Sequence, residues 1–282
     1  HLPEKTLGVG GAGYLSHVSS ITAGEGHSCA LKSDNSAYCW GENADGQLGN
    51  NTTDDAIWPK QVVGQGGLGA LADISDISAG NNHTCAVATS TVVVEDYYSF
   101  VSSGRDHTCA LEADGSGVYC WGDNTYGQLG IGVTGGRYET PQKVISLSGG
   151  GYLTDISQIS TGYYHTCALK SDGSRVYCWG SNSSGQIGNA TVGGSYNIPQ
   201  EVVSISGSGN LTDISQVSGG AYYTCALKSD GSRVYCWGNN YYGQLGNNNA
   251  PTYSDIPVEA VSTSGSGYLQ DISLVSGGVY HT

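Results

Sequence analysis

The sequence contains no methionine, one phenylalanine and few basic residues. Ten Lys and Arg stand against 24 Asp and Glu, which gives a formal net charge of −14 at pH 7. Because nucleic acids and anionic membrane surfaces bind basic patches, this charge argues against both as partners. No apolar run reaches the about 18 residues that a membrane-spanning helix needs. We therefore expect no nucleic-acid partner and no membrane span.

Charged residues of either sign are scarce, at 12 % of the chain, whereas glycine reaches 45 residues and tyrosine 20. Glycine, serine, asparagine and threonine favour tight turns and short strands over helices. This composition predicts an all-β protein with thin hydrophobic layers. The acidic excess makes Asp54 and Asp55 weak candidates for a calcium site. Because no D-x-[DN]-x-[DN]-G loop is present, we expect no cofactor.

One long motif recurs four times. Each copy runs from a cysteine to a Cys-Trp-Gly segment and continues as x-N-x-x-G-Q-[LI]-G, and the copies occupy residues 29–49, 109–130, 167–188 and 225–246. A second phase of the repeat is marked by Pro3, Pro59, Pro141, Pro199 and Pro257. We expect a single repeat domain over residues 1–282. Its units lie near 3–58, 59–140, 141–198 and 199–256, with an incomplete unit at 257–282.

The second unit is longer than the others. His83-Thr84-Cys85-Ala86 recurs 24 residues later as His107-Thr108-Cys109-Ala110. Residues 83–106 are therefore predicted to form a partial extra unit that lacks the Trp-Gly half. A decayed repeat unit and a hairpin insertion from Val92 to Phe100 both fit this pattern.

The motif H-[ST]-C-A-L-x-x-D-G-S-x-x-Y-C-W-G-x-N-x-x-G-Q-L-G resembles the repeat of the RCC1 (regulator of chromosome condensation) family, especially its secreted bacterial members. The resemblance covers nearly the whole chain and implies a β-propeller, which in this family has seven blades as a rule. Four complete units and the partial ones are too few for that number. The expected fold is a β-propeller-like array of RCC1-type blades rather than a standard seven-bladed ring.

The cysteines are spaced to form one disulfide in each complete unit. Asp172-Gly173 lies midway between Cys167 and Cys178, and an Asp-Gly pair flanked by strand-like segments predicts a two-residue hairpin turn. A hydrogen-bonded antiparallel pair places opposed Cα atoms about 5.5 Å apart, within disulfide range. The alternative is pairs of buried thiols that pack as small hydrophobic groups. The predicted pairs are Cys29–Cys39 (with a three-residue loop that places Asn35 in the left-handed conformation), Cys109–Cys120, Cys167–Cys178 and Cys225–Cys236.

Disulfides indicate an oxidising compartment, so the chain is predicted to be secreted or displayed at a cell surface. The ninth cysteine, Cys85, stands outside the four pairs, because its unit lacks the half that would carry a partner. We expect Cys85 to remain a thiol or to bridge to another molecule.

The remaining motif positions predict structural functions. One tryptophan per unit indicates packing between blades, and these residues are Trp40, Trp121, Trp179 and Trp237. A histidine recurs at one repeat position, which predicts a hydrogen bond to a neighbouring strand rather than a metal ring; the position holds His27, His83, His107, His165 and His281, with Tyr223 once. No nucleophile elbow, HExxH motif or phosphate-binding glycine loop is present, so we expect no enzymatic activity.

Tyrosines in two loops are the candidate interface, since tyrosine offers apolar contact area with a polar tip. Ordinary strand-edge tyrosines are the alternative interpretation. Three of these tyrosines lie just before G-Q-L-G and four lie just before the recurring histidine position: Tyr126, Tyr241 and Tyr242, then Tyr163, Tyr164, Tyr222 and Tyr280.

The first and last 26 residues match in phase, so both ends offer the same strands. An excerpt of a longer array, a small ring with an incomplete blade, and open edges that pair between molecules all fit this match. The first functional hypothesis is a non-enzymatic protein that self-assembles into an extracellular filament, tube or sheath. The alternatives are a soluble secreted propeller that binds or inhibits another protein, and a guanine-nucleotide exchange factor.

Overall fold

The computed structural model describes residues 6–64, 69–89, 98–250, 252–265 and 267–282. These residues form antiparallel β-strands and one 3-10 turn at Val9–Gly11. Two compact units divide the chain, His1–Asp106 (unit 1) and His107–Thr282 (unit 2). The single repeat domain over 1–282 stays a prediction. Pro3 and residues 92–97 of the predicted hairpin lie outside the described residues.

Unit 1 contains one four-stranded sheet in the order β1-β2-β3-β4, a β5–β6 pair, and β7. The backbone of β7 donates hydrogen bonds to side chains of β5, from Val101 N to Asp76 Oδ2 (2.8 Å) and from Ser103 N to Ser78 Oγ (2.9 Å). The strands are β1 Val18–Ala23, β2 His27–Lys32, β3 Ala37–Gly41, β4 Ala56–Gln61, β5 Ile74–Ala79, β6 Thr84–Ala88 and β7 Tyr98–Ser103.

Unit 2 contains two complete four-stranded sheets, β11-β12-β13-β14 and β15-β16-β17-β18, and the neighbouring strands β8, β9 and β10. The core between the complete sheets joins Leu169 and Val176 of one sheet to Trp237 of the next. The strands are β8 His107–Glu112, β9 Val118–Asp123, β10 Arg137–Lys143, β11 Ile156–Thr161, β12 His165–Lys170, β13 Val176–Ser181, β14 Ser195–Glu201, β15 Ile214–Gly219, β16 Tyr223–Lys228, β17 Val234–Asn240 and β18 Thr252–Glu259.

Four disulfides join opposed strands in the pairing that the hairpin register predicts. They are Cys29–Cys39, Cys109–Cys120, Cys167–Cys178 and Cys225–Cys236, each with Cα atoms 4.1 Å apart. Asn35 is left-handed, at φ +62°, as the shorter first loop requires. Cys85 is a partly buried thiol on β6, opposite Ser78 of β5.

Two details of the predicted hairpins were wrong. The cysteines occupy a non-hydrogen-bonded pair, because the hydrogen-bonded pair falls at Lys170 and Arg175 (N to O, 3.0 Å), an odd number of residues away. The turn is also not a two-residue type I′ turn, since Gly173 is left-handed at φ +69° and Asp172 is not. The Asp172 side chain instead accepts a hydrogen bond from Ser174 N (2.9 Å), which closes a longer loop.

Mass spectrometry tests the disulfide assignment. We expect the intact chain to be eight hydrogens lighter than the fully reduced chain, because each of the four disulfides removes two. Alkylation without reduction should label one cysteine, Cys85. Labelling of any of the other eight would contradict the assignment, and a dimer that reduction removes would show that Cys85 bridges two molecules.

Candidate functional site

The recurring segment N-x-x-G-Q-[LI]-G forms a turn that is fixed by hydrogen bonds from the side chains of its own asparagine and glutamine. Asn124, fully buried, accepts a hydrogen bond from Leu129 N at Oδ1 (3.1 Å) and donates from Nδ2 to Val133 O (3.0 Å). Gln128 Oε1 accepts from Tyr126 N (2.8 Å). Because buried amides hold both ends of the loop, Tyr126 is presented on a fixed backbone. Tyr242 is held in the same way by Gln244 Oε1 (2.9 Å).

A second fixed loop joins β11 to β12. Gly162 N donates to His165 O (2.8 Å), and Tyr163 N donates to Ala221 O (3.2 Å) in the following repeat. Ser181 N donates to Tyr164 O (2.8 Å), which ties the loop to β13. Backbone bonds therefore set the positions of Tyr163 and Tyr164.

The tyrosines on these loops form two clusters of rings in edge-to-face or tilted contact, all within unit 2. Ring centroids lie 5.1 Å apart for Tyr126–Tyr164 and 4.8 Å apart for Tyr242–Tyr280, within the range that favours aromatic pairs. The first cluster is Tyr126, Tyr163, Tyr164 and Tyr222, and the second is Tyr241, Tyr242 and Tyr280. We call these seven residues the tyrosine surface.

The two clusters differ in exposure. Tyr241, Tyr242 and Tyr280 are 65 %, 63 % and 57 % exposed, and Tyr126 is 40 % exposed. The other three tyrosines are half-buried. The second cluster is therefore the part of the tyrosine surface with the most contact area to offer.

The recurring histidine contacts a threonine of the following repeat. His165 Nε2 lies 2.9 Å from Thr224 Oγ1, and that hydroxyl donates its proton to Gln186 O (3.0 Å). His165 Nε2 must therefore be the donor, which leaves Nδ1 without a proton. Among the described residues Nδ1 has no hydrogen-bond partner, and burial lowers the pKa of His165 to about 4.

This arrangement is structural, because His165 is fully buried and neutral and its Nε2 is already bound. The same pattern recurs at His107 with Thr166 (2.9 Å) and at His27 with Thr84 (2.8 Å). In the fourth complete copy of the motif, Tyr223 stands in place of histidine. Its hydroxyl donates to His281 O and accepts from Gly278 N (3.0 Å).

The acidic candidates for a cation also have structural contacts. Asp55 Oδ1 accepts a hydrogen bond from Asn43 N (2.9 Å), and Asp54 contributes its backbone carbonyl to Asn43 Nδ2 (3.0 Å). Within the described ranges, no group of three or more His, Cys, Asp or Glu side chains could hold a metal ion.

Two of the four motif tryptophans are fully buried. Trp179 Nε1 donates to Gln128 O and Trp237 Nε1 donates to Gln186 O, both at 2.9 Å. The Trp237 ring lies on Gly188, where a Cβ atom would stand 2.6 Å from Nε1. We call a segment that holds a ring in this way, such as Gln186–Ile187–Gly188, an indole cradle. Trp40 and Trp121 are half-buried.

Sequence reasoning missed the backbone carbonyl of the recurring glutamine. That one oxygen accepts from the threonine and the tryptophan of the following repeat, as Gln186 O does from Thr224 and Trp237. The sequence signal that could have indicated this contact is that the glutamine, the threonine and the tryptophan recur at the same spacing in successive repeats. In the described part of the chain no helix is long and apolar enough to cross a membrane.

A family model described as the regulator of chromosome condensation (RCC1) repeat matches four segments, 34–87, 116–169, 174–227 and 232–282. A second RCC1-repeat model matches residues 18–47, 99–128, 156–186 and 214–244.

Curated relatives are larger proteins. The Arabidopsis thaliana ultraviolet-B receptor UVR8 is 31 % identical over 242 residues, which cover 86 % of this chain and 46 % of UVR8. The human probable E3 ubiquitin-protein ligase HERC6 is 30 % identical over 272 residues, which cover 96 % of this chain and 22 % of HERC6. The chain thus spans less than half the length of these relatives.

Solved structures show the same fold. Prp20p of Saccharomyces cerevisiae, described with its binding to Gsp1p and histones, aligns with a TM-score of 0.72 at 19 % identity, covering 93 % of this chain and 67 % of Prp20p. Human WBSCR16 aligns with a TM-score of 0.69 at 21 % identity, covering 86 % of this chain and 66 % of that one. The repeated sheets are thus β-propeller blades, although the likeness to secreted bacterial members stays a prediction. With family models that match most of its length, the chain belongs to the RCC1-repeat family.

Proposed function

We propose that the chain is a non-enzymatic, extracellular protein-binding module whose tyrosine surface contacts the partner. The observation that supports this proposal is the packing of seven tyrosine rings on two kinds of loop whose backbones are fixed by hydrogen bonds. Tyrosine loses little conformational entropy on binding and combines apolar area with a hydroxyl group, so it is enriched in interfaces. A rigid backbone under these rings lowers the ordering cost of association.

The extracellular location is supported by the four disulfides, which form and persist in oxidising compartments. Guanine-nucleotide exchange is an intracellular activity and does not fit a disulfide-linked extracellular chain. Binding of other proteins is a documented property of Prp20p, whose structures are described with Gsp1p, histones and Kap60. Those examples support a binding function on this fold without identifying the partner.

The second tyrosine cluster gives the sharpest test. We expect Tyr241→Ser, Tyr242→Ser and Tyr280→Ser, combined in one variant, to weaken a stoichiometric complex with a partner from the extracellular medium at least tenfold, about 1.4 kcal/mol, because exposed aromatic anchors are lost. Isothermal titration calorimetry with the purified partner measures the change. Tyr253→Ser is the matched control, since Tyr253 is exposed to the same extent but stands on β18 outside the clusters. Equal losses in both variants would contradict the proposal.

Self-assembly into a filament, tube or sheath is the second candidate. It is favoured by an exposed apolar strip on the edge strand β1, formed by Val18 and Ile21 with Tyr14 beside Trp40. Light scattering across a concentration series, followed by negative-stain microscopy, separates the candidates. Molecular mass that grows with concentration supports self-assembly, and monodisperse particles at high concentration exclude it.

A further inference from the structure

We infer that unit 1 contains an open indole cradle, a binding site for an indole ring such as that of tryptophan. The site consists of the segment Gln47–Leu48–Gly49 and the cavity beside it. It shares no residue with the tyrosine surface and goes beyond the proposed function.

The filled cradles of unit 2 show what such a segment binds. In each of them the glutamine carbonyl accepts a hydrogen bond from an indole N–H, and the glycine that follows leaves room for the ring. The same carbonyl accepts a second hydrogen bond from a threonine hydroxyl, as Gln186 O does from Thr224. One carbonyl oxygen has two lone pairs, so both bonds are made at once.

Among its described residues, unit 1 keeps all these parts except the ring. Gln47 O accepts a hydrogen bond from Thr84 Oγ1 at 2.8 Å, as the threonine bond of a filled cradle requires. Leu48 is fully buried, and Gly49 has a positive φ of +59° like its counterparts. In the described ranges a Cβ atom on Gly49 would meet only Val62, at 3.2 Å, so no aromatic ring of a described residue lies on this glycine. Residues 83–106, the partial unit that follows, contain no tryptophan.

The cavity at this cradle has a volume of about 310 Å³. Its wall combines aliphatic and polar side chains. The aliphatic ones are Ala37, Leu48, Val62, Leu71, Ile77 and Ala86, and the polar ones include Asp45, Asn82, His83 and Thr84. The volume is at the lower end of the range for small-molecule sites, about 300 to 1,000 Å³, which suits one bicyclic ring. The aliphatic part of the wall gives a flat apolar ring its contact area.

The second lone pair of Gln47 O determines which neutral ring fits. A ligand without a donor would bury this oxygen with one hydrogen bond fewer than Gln128 O and Gln186 O have. An indole supplies an N–H at the edge of a flat apolar ring, which is the combination that both filled cradles bind. The source of the indole is a free small molecule or a tryptophan side chain of another protein, and the chemistry is shared.

Calorimetric titration with three probes tests the site. Indole is expected to bind, and 1-methylindole, which lacks the N–H donor, is expected to bind at least tenfold more weakly because Gln47 O loses its bond. N-acetyltryptophanamide distinguishes the sources: if it binds as indole does, the cradle admits a tryptophan residue, and if it does not, the cradle admits the free ring alone. Equal affinity for indole and 1-methylindole, or no binding of either, overturns the inference.

Site-directed variants locate the binding. Val62→Phe fills the cavity and is expected to remove one indole site, whereas Ile57→Phe, on β4 and 80 % exposed, should remove none. Counting sites is necessary because a similar cavity of about 370 Å³ adjoins Gln244–Leu245–Gly246 in unit 2. Val62→Phe should leave that cavity and the tyrosine surface unchanged, so failure of either proposal is recognised separately.

A second measurement needs no variant. In the unmodified chain, intermolecular nuclear Overhauser effects are expected between the indole ring protons and the methyl groups of Leu48 and Val62. If the site count does not fall in folded Val62→Phe, or if indole binds without these effects, the cradle of unit 1 is not the binding site.

Discussion

Truncation of Trp237 to alanine is expected to lower the free energy of unfolding by about 4 kcal/mol, whereas the same change at Trp121 should lower it by about 1 kcal/mol. Both residues occupy the same motif position in unit 2, but Trp237 is fully buried and Trp121 is half-buried. The Trp237→Ala variant loses a large apolar contact and leaves a cavity between two blades. It also removes one of the two hydrogen bonds to Gln186 O.

Urea denaturation with the disulfides intact, followed by circular dichroism, measures both variants. Trp237→Phe is an intermediate case, because it keeps a six-membered aromatic ring and removes the pyrrole ring together with its N–H bond, a bond worth about 1 kcal/mol. Equal losses at Trp121 and Trp237 would show that the cradle does not determine the contribution of the tryptophan.

A substitution at the glycine of the cradle tests the same contact with the Trp237 ring. Gly188→Ala places a Cβ atom against the Trp237 ring, while Gly209→Ala adds a Cβ with nothing within 4 Å. Both glycines have nearly the same positive φ, +74° and +70°, so both variants carry a similar backbone cost of about 1 to 2 kcal/mol. The excess loss in Gly188→Ala therefore reports the clash with the Trp237 ring, which supplies the three atoms nearest to the added Cβ.

Features that depend on local register could be predicted from the sequence. The midpoint between the two cysteines of each complete repeat gives their pairing whatever the turn type. The four disulfides were therefore predicted correctly although the turn was not. The turn differed because the Asp172 side chain binds the backbone of Ser174, which lets Asp172 avoid the left-handed conformation. Side-chain bonds of this kind compete with the backbone preferences on which turn rules are based.

Features that depend on the neighbouring repeat were harder to predict. The four tryptophans have the same local sequence, and only the presence of a cradle in the preceding unit separates Trp237 from Trp121. Residues 83–106, which precede the unit of Trp121, contain no G-Q-[LI]-G segment, so this difference was readable in principle. Four ring contacts of the tyrosine surface join residues 38 to 59 positions apart, and no local pattern indicates which of these rings meet.

Acidification from pH 7 to pH 4 is expected to destabilise unit 2, with His165 alone contributing about 3 kcal/mol. In the unfolded chain His165 has a pKa near 6.5, and in the folded chain burial lowers its pKa to about 4. Above pH 6.5 the group is neutral in both states and contributes nothing. Between pH 6.5 and 4 only the unfolded chain binds the proton, so stability falls as the pH falls. Below pH 4 both states are protonated and the loss reaches its limit.

Protonation is unfavourable because His165 is fully buried and its Nδ1 has no hydrogen-bond partner among the described residues. The ring edge faces Gly162, whose missing side chain leaves room for the imidazole and for little else, since a Cβ there would stand 2.4 Å from Nδ1. The burial of His27 and His83 in unit 1 lowers the pKa of each as well, so acid destabilises that unit in the same direction.

Tyr223 occupies the position that holds histidine in the other repeats, and it therefore suggests a variant that isolates this effect. In His165→Tyr the hydroxyl should donate to Tyr223 O, as Tyr223 donates to His281 O, and a neutral phenol does not titrate between pH 4 and 7. Denaturation at pH 7 and pH 4 should therefore show about 3 kcal/mol less acid sensitivity than in the unmodified chain. His281→Tyr, at an exposed position, is the control that should keep the full slope. If His165→Tyr loses as much stability between pH 7 and pH 4 as the unmodified chain, the acid sensitivity of unit 2 arises from groups other than His165.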